Sequence, residues 1–357
     1  MADSEPQRIL LVRLGALGDI VHAIPVAAAL RRAFPQSRID WLVSAKHREI
    51  LDLVPVIDRR LVINDRRPAG AALGGDSDAT SIVSSIGALR RGRYDVAMDL
   101  QGLIKSALLA RASGARRVLG FASSYVRERL ARLFYTEIYD PGSRGVRDSA
   151  ALRHIVDINL GLLTPLGVRC GVPEFPIDAV DSAAARRVAA QTGGRYALLN
   201  PGAAWPNKRW PPARLGAVAR ALRKRHGLVS AVLWGPGEEA LAQQVVAASD
   251  DTAVLAPQTR VADLVGLARG ASLMVSGDTG PTHIAAAVGT PIVSLFGPTR
   301  PQRNGPWSPK DIAVSRDAIC QCHHLRRCRL ASMCLLDIGV DEVVSAIDMR
   351  LAAEPAR

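Results

Sequence analysis

The sequence predicts an α/β protein built from two parallel-sheet domains in tandem, facing across a cleft. Three observations carry that expectation. Short runs rich in Val, Leu and Ile alternate with helical patterns through both halves, as in sheets covered on both faces. A stretch bearing Pro173 and Pro176, GVRCGVPEFPID (167–178), separates the halves as a linker. Glycine-bearing loops follow the strand candidates, and in open α/β sheets ligands bind outside those carboxyl ends.

In the first half the strand candidates are RILLVRL (8–14), RIDWLVS (38–44), RRLVIN (59–64), YDVAMDL (94–100) and RRVLGFA (116–122). Ile20 to Phe34 reads as one helix with Pro25 early in it, and Ser149 to Leu166 as another. The second half offers YALLNPG (196–202), LVSAVLWG (228–235), TAVLA (252–256), SLMVSGD (272–278) and PIVSLFG (291–297). Helices are expected near 212–226, 237–248, 261–269 and 280–288. The domains are therefore placed at 1–172 and 173–339, with a terminal helix at 340–357 that could return to the first domain.

Composition narrows the function classes. The 357 residues are 48% hydrophobic and 4% aromatic, which suits two globular domains. A formal net charge of +13, almost all from Arg, attracts polyanions: phosphorylated substrate, anionic membrane or nucleic acid. Charge alone does not choose among them. The absence of a nucleic-acid motif or an aromatic stacking surface argues against the last. The longest mostly apolar stretch, His283 to Phe296, is broken by Gly289 and Pro291 and is too short to span a bilayer. Asp3 and Glu5 stand where a signal peptide would be basic, and Arg13 and Asp19 interrupt the apolar run, so a cytoplasmic location is expected.

Candidate chemistry lies at the strand ends. In VSGDTGPTHIAAAVGTPIVSLFGPT (275–299) a strand ends in Asp278-Thr279-Gly280 and Pro281 enters the first turn of a helix. Backbone N–H groups and the positive dipole end would make an anion site for a diphosphate. Thr279 could add a hydroxyl, Asp278 could accept from sugar hydroxyls, and His283 follows one turn on. The alternative is that Asp278 and Thr279 only cap the helix. In NPGAAWPNKRWP (200–211), Gly202 permits close backbone approach and Lys208 offers a point charge for phosphate. In WGPGEEA (234–240), Glu238 or Glu239 could accept from ribose hydroxyls, or could merely compensate the helix dipole.

In the first half, RLGALGDIVH (13–22) places Gly15 and Gly18 around a turn and Asp19 at a helix start. It lacks the third glycine of a dinucleotide fingerprint. Asp19 could be an N-cap or, pointing into the cleft, a general base. DLQGLIKSA (99–107) brings Gln101 and Lys105 to the same rim. Arg66, Arg67, Arg127, Arg129 and Arg132 could bind acidic groups. The Asp-Ser-Asp within the loop RRPAGAALGGDSDAT (66–80) stands away from any strand end and is not taken as a metal site. Five cysteines are present, and four of them, Cys320, Cys322, Cys328 and Cys334, cluster around His323 and His324. Such residues suit zinc, but the spacing is not a standard finger, so a packed thiol cluster or redox pair is preferred.

The motifs GALGDIVHAIP, DLQGLIKSA, HIVDINLGLL, PNKRWP and DTGPTHIAAAVGTPIVSLFGPT, in this order, resemble those of glycosyltransferase family 9 over nearly the whole chain. The likeness is strongest to the lipopolysaccharide heptosyltransferases of the first type. That resemblance implies the GT-B fold of two Rossmann-like domains and inverting transfer without metal or other cofactor. It also implies an ADP-heptose donor and a Kdo-bearing lipid A acceptor at the inner membrane face. It makes Asp19 the catalytic base. Gly202, Lys208, Glu238, Glu239, Asp278, Thr279, Gly280 and His283 fall to the donor, with Glu239 ahead of Glu238 for the ribose. Gly18, Gln101, Lys105, Arg66, Arg67 and Arg127 fall to the acceptor. The sequence departs from that type at GALGD, where the family has a Ser-rich turn, and at CQCHHLRRCRLASMC (320–334), which is more similar to tails of the second type. Rival readings are a family 9 enzyme using another nucleotide sugar, an epimerase on a two-domain fold, and a basic nucleic-acid-binding protein. Only Asp19 stands out as an acid/base group, which disfavours the epimerase.

Overall fold

The computed structural model describes residues 5–64, 82–142, 153–323, 325–328 and 332–353. The chain divides into two compact units, Met1–Asp178 and Ala179–Arg357. The sequence put this boundary at 172/173. The proline stretch belongs with the first unit because Glu174 pairs with Arg32 and the Asp178 N–H donates to Leu53 O at 2.8 Å.

The first unit carries strands β1 (Arg8–Val12), β2 (Arg38–Ser44), β3 (Arg59–Ile63), β4 (Val96–Asp99), β5 (Arg117–Phe121) and β6 (Glu137–Tyr139). Its helices are α1 (Leu17–Val21), α2 (Ile24–Ala33), α3 (Ile82–Arg91), α4 (Ile104–Ala112) and α5 (Ile155–Gly161). The single helix expected over Ile20 to Phe34 is in fact α1 and α2, with Pro25 at the start of α2, where its missing N–H costs least. The helix expected from Ser149 is shorter within the described residues: His154 caps α5 by accepting the Val156 N–H at 3.2 Å.

The second unit carries β7 (Tyr196–Asn200), β8 (Val229–Val232), β9 (Ala253–Leu255), β10 (Leu273–Gly277), β11 (Ile292–Phe296) and β12 (Ile312–Ser315). Its helices are α6 (Ala183–Thr192), α7 (Pro212–His226), α8 (Glu239–Ala247), α9 (Val261–Gly270), α10 (Gly280–Ala287), α11 (Pro301–Asn304) and α12 (Val340–Ala352). α7 illustrates how sequence sets an element. Pro212 opens it, Arg223, Lys224, Arg225 and His226 meet its negative end, and Gly227 stops it at φ 67°, a conformation that favours glycine. The terminal helix α12 buries Val343, Val344, Ala346 and Ile347 in the core of its own unit, beside α7, β11 and β12. Arg350 anchors it there through Asp311 at 2.7 Å.

Both sheets are wholly parallel and six-stranded, in the orders β3-β2-β1-β4-β5-β6 and β12-β11-β10-β7-β8-β9. Counted from the first strand of each unit, the two orders are the same Rossmann order. Each therefore reverses direction once, between β1 and β4 and between β7 and β10. Those reversals are where an open parallel sheet leaves a crevice for ligand. Ile9, Leu10, Leu11 and Val12 in β1, and Tyr196 to Leu199 in β7, are buried, so each switch point rests on a fixed core.

Candidate active site

At the switch point of the second unit, β7 and β10 end side by side, with Asn200 paired in register to Ser276. Asn200 Nδ2 donates to Ser276 Oγ and to Thr279 Oγ1, both at 3.0 Å, which ties the two loops together. Thr282 Oγ1 donates to Gly277 O at 2.6 Å and locks the first turn of α10 onto the strand end. The Thr279 hydroxyl is thus part of an internal network, while Gly280 opens α10.

Asp278 stands at the centre of this loop. Lys208 Nζ donates to its Oδ2 at 2.6 Å, and His283 Nε2 lies 3.1 Å from its Oδ1. Burial alone would raise the Asp278 carboxyl. The His283 hydrogen bond and the Lys208 charge outweigh burial and hold it well below the usual carboxylate range. Lys208 also stacks over the Trp205 ring, 4.6 Å from its centroid. An ammonium has three donors; Lys208 also donates to Asp278 O at 3.5 Å, so its two bonds to Asp278 leave one donor for an anion. Asn207, next to Lys208, is buried and donates to Leu325 O at 2.9 Å, linking this turn to the cysteine segment.

The two glutamates separate. Glu238 caps α8, accepts from the Gly235 N–H at 3.2 Å and faces Arg209 at 3.5 Å. Its carboxylate fills the space beside Gly202, where a Cβ would come within 2.1 Å of Oε2. Gly202 and Glu238 are therefore brought together. Glu239, the first residue of α8, is exposed and interacts with Gln243 at 3.4 Å.

At the switch point of the first unit, Val12 pairs in register with Asp99, and the loops after them interlock. Gln101 Oε1 accepts the Leu14 N–H at 2.7 Å. Arg13, nearly buried, donates to Leu100 O and reaches Asp19 Oδ2 at 2.7 Å. Asp19 is not the N-cap of α1, a position held by Ala16. It lies one turn inside and accepts the Ala16 N–H at 3.1 Å. Both contacts fall on Oδ2, and among the described residues Oδ1 makes none. Gly18 is buried in α1.

Below this rim Asp99 is fully buried, and burial pushes its carboxyl up. It accepts from Tyr135 Oη at 2.7 Å, Ser106 Oγ at 3.0 Å and the Gln101 N–H at 2.9 Å, which fixes the Gln101 loop. Gly102 turns that loop at φ 69°, and its O accepts the Arg127 N–H at 3.1 Å. Lys105 is half-buried in α4, and Arg127 is exposed. Arg66 and Arg67, like the Asp-Ser-Asp triplet, lie outside the described residues.

Sequence reasoning passed over Arg13, Asn200, Trp205 and Arg209. Arg13 carried the one available signal, a cation ending an apolar run. Within the cysteine cluster, Cys322 and Cys328 Sγ lie 3.1 Å apart. Burial, with a Cys320 hydrogen bond, pushes Cys334 up to about 12. Among the described residues no three His, Cys, Asp or Glu side chains are grouped to hold a metal ion.

Comparison with known proteins agrees with this architecture. Lipopolysaccharide heptosyltransferase 1 of Pseudomonas aeruginosa is 29% identical over 320 residues, covering 88% of this chain and 85% of that one. The Salmonella typhimurium protein of the same name is 28% identical over 319 residues, covering 86% and 93%. Among solved structures, a family 9 glycosyl transferase from Veillonella parvula superposes with a TM-score of 0.77 at 22% identity, covering 98% of each chain. E. coli heptosyltransferase WaaC with ADP-2-deoxy-2-fluoro heptose gives 0.70 at 22% identity, covering 96% of this chain and 99% of that one. These likenesses show the GT-B fold class. Glycosyltransferase family 9 (heptosyltransferase) matches residues 82–333, well over half the chain, and the protein belongs to that family of sugar-transferring enzymes.

Proposed function

We propose that this glycosyltransferase moves a heptose from ADP-heptose to a Kdo residue on lipid A, with inversion and without a metal ion, in building the lipopolysaccharide inner core. The largely buried Lys208–Asp278–His283 group at the second switch point carries the reading, because a fixed cation beside a helix start suits a diphosphate. The names of the similar proteins support the donor and the acceptor class.

In this mechanism Asp19 accepts the proton of the acceptor hydroxyl as its oxygen attacks the anomeric carbon, opposite the departing ADP. Arg13 fixes the Oδ2 side of the carboxylate and leaves Oδ1 for the proton. Charge growing on the diphosphate is met by Lys208 and the N–H groups at Gly280. Asp278 aims Lys208 and His283. The contact with Gly202 favours Glu238 as the ribose acceptor, against the preference for Glu239 that the resemblance implied. Gln101, Lys105 and Arg127 would meet the acidic acceptor. No helix among the described residues is long and apolar enough to cross a membrane. The enzyme would then act at the inner leaflet as a peripheral protein.

Thermal-shift and calorimetric titration with ADP, UDP, GDP and dTDP, with and without EDTA, tests the donor assignment. Selective, EDTA-insensitive binding of ADP is the expected result, followed by transfer to Kdo-lipid A. A preference for another nucleotide would keep the family and discard heptose.

A further inference from the structure

One face of the first unit places large apolar side chains in solvent. Leu133 is 74% exposed, Leu130 61%, Leu108 46% and Ile104 37%. Single exposed leucines are ordinary. These four, however, sit on two elements that pack against each other, α4 and the short helical turn Arg129–Phe134. On α4, Ile104, Leu108 and Arg111 recur at helical spacing and share one stripe. The same segments carry Lys105 and the exposed Arg111, Arg127, Arg129 and Arg132. The acid among them, Glu128, is engaged as acceptor of the Ile104 N–H at 2.7 Å.

Exposed apolar side chains interspersed with exposed arginines match an interface between headgroups and acyl chains, where leucines enter the boundary and arginines meet phosphates. A second copy of the same face would bring like charges together, which disfavours self-association. We propose that α4 and the Arg129–Phe134 turn form the docking face for an anionic phospholipid leaflet. The Arg127 and Glu128 N–H groups both donate to Gly102 O, at 3.1 and 3.3 Å, so this face is continuous with the loop that carries Gln101. Docking would thus present that loop to a headgroup-linked sugar. The inference rests on the lipid-linked acceptor proposed above.

The test is co-sedimentation of the full chain with vesicles of phosphatidylcholine, alone or mixed with phosphatidylglycerol. Wild type is expected to bind the anionic vesicles and to release as salt rises. Leu130→Glu/Leu133→Glu should bind about ten-fold or more weakly, and Leu108→Glu should show a smaller loss. ADP binding, and transfer to a deacylated, water-soluble Kdo acceptor, should stay unchanged in both variants. Absent or salt-insensitive vesicle binding by wild type would overturn the proposal. So would undiminished binding by the double variant, or its disruption of a wild-type dimer in sedimentation equilibrium. Loss of transfer to the soluble acceptor in the variants would make the face an acceptor subsite instead. Vesicle binding without transfer to any Kdo acceptor would sink the proposed reaction and leave docking standing.

Discussion

The loops after β1 and β4 and those after β7 and β10 occupy equivalent places in two sheets of the same order, yet they hold their carboxylates differently. The Asp278 side chain is 8% exposed and has an ion-pair partner on each oxygen. The Asp19 side chain is 45% exposed, and its contacts among the described residues all fall on one oxygen. A carboxylate committed on both oxygens works as a fixed strut that aims its neighbours. One with a free oxygen can take a proton. Under the proposed mechanism the same topology serves as a rigid anion site in one unit and as a base in the other. Local side chains, not the fold, make the difference.

The sharpest way to break this comparison is Asp19→Asn. It keeps the shape and removes the basicity, so turnover should fall about a hundred- to ten-thousand-fold. Donor affinity by calorimetry should hold. Equal loss of both would show that Asp19 serves binding and that the two sites are not divided by role. Next comes Lys208→Ala, which removes a charge-assisted contact and should weaken ADP binding by about ten- to a hundred-fold. It also leaves Asp278 with His283 alone, and the melting temperature should drop with it. Unchanged ADP affinity would take Lys208 out of the donor site.

A smaller effect tests the Gly202–Glu238 contact. Gly202→Ala would push its Cβ into the Glu238 carboxylate, and ADP affinity should fall several-fold, by about 1 kcal/mol. Adding Glu238→Ala should give no further loss, because both changes displace the same group. Glu239→Ala should leave affinity near wild type. Additive losses at 202 and 238 would mean that the two residues act separately.

Much of this was legible in the sequence because it is local. Strand 38–44 and helix 212–226 match β2 and α7 residue for residue, since apolar runs and caps are written in neighbouring positions. The edge strands β6 and β12 escaped notice. β6 is three residues long, and both β6 and β12 pair on one side only, so neither needs a continuous apolar run. The positions Asp19, Lys208 and Asp278 could be picked out because glycine loops and a helix start flag strand ends. Their partners could not. Lys208 and Asp278 are 70 residues apart, Leu14 and Gln101 87 apart, and no short-range pattern encodes such pairs. Arg13 and Asn200 look like strand residues until the sheet order shows which strands are adjacent.

The mildest expected effect concerns pH, and it separates a strut from a base without any substrate. The Asp278 carboxyl is held well below its ordinary range in the folded chain, so the unfolded chain binds that proton more readily. Its contribution to stability is therefore complete above the ordinary aspartate value of about 3.9 and fades as pH falls through the window beneath it. Near neutral pH it should impose no slope. Unfolding midpoints in urea, followed from neutral pH down into the acid limb, should thus show a steeper acid loss for wild type than for Asp278→Asn. The variant should be less stable at neutral pH, since Lys208 and His283 lose their common partner. Asp19→Asn, which removes a half-exposed pair, should shift the same curve little. Parallel acid limbs for wild type and Asp278→Asn would mean that the buried carboxylate is not stabilised by its two partners. The contrast between the two switch points would then rest on exposure alone.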